Sequence, residues 1–77
     1  MYMQGYANNG GDSGVSGYEY GDDYIIIEFK EGKNRFYKYT YLSAGRSAVD
    51  QMKNLADVGH GLNSYVSTYK PKHSEKW

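Results

Sequence analysis

The stretch from Tyr24 to Tyr41, YIIIEFKEGKNRFYKYTY, constrains the fold more than any other part of the chain. It carries two runs of strand-forming residues on either side of a turn that contains Gly32. Side chains alternate across a strand, so Ile25, Ile27 and Phe29 share one face of the first run, opposite Tyr24, Ile26 and Glu28. In the second run Tyr37, Tyr39 and Tyr41 lie on one face, and Phe36, Lys38 and Thr40 on the other. Pairing Ile27 with Tyr37 or Tyr39 makes an inner face of apolar and aromatic groups alone. A slip of one residue would place Lys38 among the isoleucines, and an unpaired buried ammonium costs several kcal/mol. The first register is therefore expected, with Gly32 supplying positive φ in an odd-length loop.

On either side the pattern is simpler. Val15 to Tyr20 reads as a short first strand with Gly21-Asp22 as the turn out of it. Strict alternation sets Val15, Gly17 and Glu19 against Ser16, Tyr18 and Tyr20. Residues 1–14, MYMQGYANNGGDSG, read as a flexible arm, with Asn9-Gly10 as the turn of an alternative short hairpin between Tyr2 and Ser13. After Tyr41, Ser43 or Ser47 is expected to cap a helix, and Ser47-x-x-Asp50 has capping-box spacing. Ala48, Val49, Met52, Leu55, Ala56 and Gly59 recur at helical steps, with Gly59 placed to end that helix. Leu62, Tyr65, Val66 and Tyr69 mark a second helix that Pro71 stops, leaving 71–77 as a basic tail ending in Trp77. The expected fold is α+β: a three-stranded antiparallel β-sheet followed by two short helices packed on one face, over residues 15–70.

Seventy-seven residues make one domain near the lower limit for a core that holds itself together. No cysteine is present, so neither a disulfide nor a thiolate zinc site supplements that core. His60 and His73 lack a second ligand at metal spacing, and no metal or cofactor is expected. Ser47, His60 and Asp57 have no nucleophile elbow or oxyanion loop around them, and so small a domain leaves little room for an enclosed pocket. Hence no enzymatic activity is expected. No apolar run approaches the ~20 residues of a membrane span, and no signal-peptide core opens the chain. A cytoplasmic location, with no membrane partner, is the expectation.

Charge and aromatics point toward binding. Net charge is zero, yet residues 1–31 carry −5 and residues 32–77 carry +5. Such a dipole steers an anionic partner to one side, while the zero total disfavours tight non-specific binding to a duplex. Ten tyrosines accompany two phenylalanines and one tryptophan. Tyrosine gives contact area at low entropic cost and keeps a polar tip. On the outer sheet face, Tyr24 and Phe36 flank Lys38, an arrangement that stacks unpaired bases, meets a partner protein or is simply solvated. Lys33, Arg35, Lys70 and Lys72 are candidate phosphate contacts. Arg46, at the first helix start, either clamps a phosphate or is solvated. Gly59-His60-Gly61 precedes the last helix and offers amide donors to a phosphate, or is only a tight turn that requires glycine.

The order Phe29…Gly32…Tyr37-x-Tyr39, then a helix, then Ala56…Gly59-x-Gly61-Leu62-Asn63-x-Tyr65, resembles the KTSC domain. This short module occurs at the C-terminus of some lysyl-tRNA synthetases and in free-standing bacterial and phage proteins. The resemblance spans residues 15–70. Gly59-His60-Gly61 stands where the family pattern has Ser-x-Gly. The resemblance implies a bacterial or phage setting and a nucleic-acid-binding role. Two functions are carried forward: a binding module for RNA or single-stranded nucleic acid, and a phage-encoded inhibitor or adaptor. The latter would bind a bacterial protein such as a CRISPR or other defence effector. A homodimer through the sheet face or the arm is a third form of contact.

Overall fold

The computed structural model describes residues 3–7 and 14–77. Among these the elements are β1 (Gln4–Gly5), β2 (Val15–Gly21), β3 (Tyr24–Phe29), β4 (Phe36–Thr40), α1 (Tyr41–Ala44), α2 (Arg46–Val58), α3 (Leu62–Tyr69) and β5 (Glu75–Lys76). The strands form one antiparallel sheet in the order β1-β2-β3-β4-β5. The α+β class holds, but the sheet has five strands where the sequence pattern indicates three. Each added strand is two residues long, too short for alternation to show.

Both added strands come from stretches that read as arm and tail. Tyr6, just after β1, is 8 % exposed and belongs to the core. Its amide donates to the Ser16 carbonyl at 3.1 Å, and its hydroxyl accepts from the Leu62 amide at 3.2 Å. At the other edge Phe36 and Trp77 exchange two backbone hydrogen bonds, each 2.9 Å. The Asn9-Gly10 turn of the alternative hairpin lies outside the described residues.

The central register is the one that burial of the isoleucines requires. Ile25 faces Tyr39, Ile27 faces Tyr37, and Ile26 faces Lys38. Ile25 and Ile27 are fully buried, Tyr39 is 3 % exposed, and Phe29, Tyr37 and Tyr41 pack against the same core. Gly32 sits at φ 114°, as the loop between β3 and β4 demands. Strand β2 departs from strict alternation. Val15 pairs with Phe29 while Gly17 pairs with Glu28, so a bulge falls between them. The extra residue resets parity, and Val15 and Tyr18 both point into the core. Glycine at 17 allows this: a Cβ there would lie 3.0 Å from the Gln4 carbonyl oxygen of β1.

Three helices are described rather than two. Thr40 caps α1 in a reciprocal capping box with Ser43, and Gly45 then interrupts the run at φ 93°, ψ 149°. Ser43 thus serves a different helix from the one its spacing suggests. Gly45, not Ser47, occupies the N-cap of α2. The inward stripe of α2 is Val49, Met52 and Ala56, and Gly59 ends the helix in the left-handed conformation. From α3, Leu62 is fully buried, but Tyr69 is 69 % exposed and lies against Tyr65. The stripe of α3 therefore stops one turn early.

Polar clasps tie α2 to the sheet and to α1. Asp57 accepts hydrogen bonds from the Tyr18 hydroxyl (3.0 Å) and the Tyr20 hydroxyl (2.7 Å), and Asp50 accepts one from Tyr41 (2.7 Å). Burial and then Asp57 raise the Tyr18 phenol, and the bond to Asp57 raises that of Tyr20. Lys53 donates to the Asp22 carbonyl and lies over the rings of Tyr20 and Tyr41.

Candidate binding surface

All core members from the helices meet the Ile25–Ile27–Tyr39 side of the sheet. The opposite side, among the described residues, carries no helix. Alternation and register place Glu19 of β2, Tyr24, Ile26 and Glu28 of β3, Phe36, Lys38 and Thr40 of β4, and Glu75 of β5 on that open face.

Phe36 and Trp77 are cross-strand neighbours whose rings stack at 5.7 Å and 13°. Trp77 remains 43 % exposed, and the Arg35 guanidinium lies 6.0 Å above the Phe36 ring. Beside this pair the Lys38 ammonium sits 4.9 Å over the Tyr24 ring and 3.9 Å from the Glu75 carboxylate. The Tyr24 hydroxyl donates to Glu19 Oε2 at 3.4 Å. Desolvation, then the neighbouring Glu19 charge, raises the Tyr24 phenol. Ile26, flanked by Glu19 and Lys38, is 6 % exposed although it lies outside the helix-covered core. Glu19 Oε1 is buried with no hydrogen-bond partner among the described residues. The result is an aromatic ridge set in charges of both signs, with three carboxylates beside two cations.

Four of the residues singled out from the sequence thus come together: Tyr24, Phe36, Lys38 and Arg35. The others do not join them. Arg46 begins α2 in the helical layer, 3.9 Å from Asp50 and over the Tyr41 ring at 5.4 Å. Gly59, His60 and Gly61 form the α2–α3 turn in the same layer, and several of the amides there are engaged. The Gly59 and His60 amides donate to the Leu55 carbonyl, and the Leu62 amide donates to Tyr6. Lys33 lies in the β3–β4 loop, while Lys70 and Lys72 lie on the segment from α3 to β5. Trp77, Glu75 and Glu19 complete the surface without having been marked by the sequence pattern. A lone tryptophan in a basic tail was the only signal for the first of them.

No family model matches this chain, and no curated protein or solved structure does either. Among the described residues no helix is long and apolar enough to cross a membrane, and no cluster of three metal-ligating side chains occurs.

Proposed function

We propose that this chain is a non-enzymatic binding module that docks a partner protein through the open face of its sheet. The observation that supports this reading is the Phe36–Trp77 stack bordered by Tyr24 and by charges of both signs. Aromatic anchors rimmed by opposed charges are what protein interfaces use. The carboxylates of Glu19, Glu28 and Glu75 repel a phosphate backbone and favour a partner with its own basic and acidic groups. A bacterial protein, such as a defence effector that a phage protein would block, is the partner class consistent with the KTSC resemblance. Membership of that family is part of the proposal, supported by the β-β-β-α-α-α order of residues 15–70.

A second reading, single-stranded nucleic acid, draws on one specific feature. The exposed Trp77 ring and the neighbouring Arg35 offer a stacking platform with a cation beside it. Affinity capture from bacterial lysate, with and without nuclease, separates the two. Protein docking predicts nuclease-resistant capture that the double variant Phe36→Ala/Trp77→Ala abolishes while its circular dichroism is unchanged. Capture that disappears with nuclease, or that the double variant retains, removes the protein reading.

A further inference from the structure

On the helix-covered side of the sheet, where β3 turns into β4, lies a cavity of about 720 Å3. That volume is in the range of small-molecule sites, roughly 300–1,000 Å3. Phe29 and Tyr37 meet edge to face at 5.4 Å and give it two perpendicular aromatic walls, with Val66 of α3 on another side. His73 packs against Tyr37 at 5.2 Å and holds that ring in place. Tyr39 also lines the cavity and is 97 % buried, 3 % of its surface remaining exposed. Lys30, Glu31 and Lys33 line the loop side and leave a net positive charge there.

We propose that this cavity binds a small planar aromatic acid, a flat ring bearing a carboxylate or phosphate. The ring lies against Phe29 and Tyr37 in the edge-to-face or offset geometries that aromatic pairs prefer. The anionic group meets Lys30 and Lys33. The Tyr39 hydroxyl, on the cavity wall, donates to an acceptor on the inner edge of the ring. Burial keeps this phenol protonated far above neutral pH, so it is a donor under ordinary conditions. The site lies across the sheet from the Phe36–Trp77 ridge and is independent of what docks there.

The test is a titration of the 15N-labelled full chain with two probes, indole-3-carboxylate and uridine 5′-monophosphate. Saturable amide shifts at Gly14 and at residues 29–34 are expected with at least one probe, and which probe binds tells a free aromatic acid from a nucleotide. Tyr39→Phe, which preserves shape, is expected to weaken that binding about three- to tenfold, the usual effect of one lost hydrogen bond. Val66→Trp, which fills the cavity, is expected to abolish it. The inference is overturned if neither probe shifts these amides at millimolar concentration. It is also overturned if the shifts map to Tyr24, Phe36 and Trp77, or if Tyr39→Phe binds as the wild type does.

Discussion

Raising the pH above 10 should destabilise this protein in a way that one residue dominates. Burial, and then the neighbouring Tyr37, pushes the Tyr39 phenol up from 10.0 to about 12. The unfolded chain therefore releases this proton near pH 10, whereas the folded chain holds it until about pH 12. Between those values the unfolded state binds fewer protons, so stability is complete below pH 10 and falls as pH rises through the window. At 1.36 kcal/mol per pH unit, the whole difference is about 2.7 kcal/mol, of which about 2 kcal/mol is lost by about pH 11.5. A domain of this length has roughly 4–12 kcal/mol in total, so the loss is readily measured. Tyr18, Tyr20, Tyr24 and Tyr41 are raised as well and act in the same direction. Urea unfolding of the wild type and of Tyr39→Phe, at about pH 8 and about pH 11.5, isolates the one phenol because every other side chain is common to the two proteins. The variant should lose about 2 kcal/mol less across the window. Equal losses in the two proteins would show that Tyr39 does not sit under the helices, and the register argument would fail with it.

Two further perturbations probe the attachments of the helical layer. Asp57→Ala removes the acceptor for Tyr18 and Tyr20, worth about 1 kcal/mol per bond, and relieves about 0.5 kcal/mol of unfavourable charge in the last turn of α2. A net loss of about 1.5 kcal/mol by urea denaturation is expected, and a neutral or stabilised variant would show that the clasp is ornamental. Tyr6→Phe leaves the buried Leu62 amide without its acceptor and should cost about 1–3 kcal/mol, together with faster hydrogen exchange at the N-terminus of α3; unchanged exchange there would argue that Tyr6 does not cap it.

The centre of this fold was legible because desolvation allows only one answer. Three isoleucine-run and three tyrosine-run positions share a face, and the alternative buries Lys38. Gly32 and Gly59 were legible for a similar reason, since each occupies a positive-φ turn that glycine adopts without strain. What escaped depends on contacts distant in sequence. The bulge at Ser16–Gly17 shows in sequence only as a glycine within a strand, and the two-residue strands β1 and β5 have no pattern of their own. Ser43 and Ser47 mislead because Gly45 divides the helical run: Ser43 serves α1, and Gly45 itself takes the N-cap of α2. Of the candidate surface, Tyr24, Phe36 and Lys38 follow from alternation alone. Trp77 and Glu75 reach it only because the final strand folds back onto β4, an event that no local preference dictates.

The brevity of the two outermost strands has a consequence for how this protein behaves in a crowded solution. A long, bare strand at a sheet margin invites another chain to extend the ladder, which is how fibrils begin. Here the two-residue stubs Gln4–Gly5 and Glu75–Lys76 shield part of the outward rows of β2 and β4 and offer almost nothing in return for a newcomer to grip. Lys76 and Glu75 also place charge at that margin, a further deterrent to polymerisation. A tyrosine-rich meander of this size can thus remain dispersed while it carries an aromatic ridge on its surface.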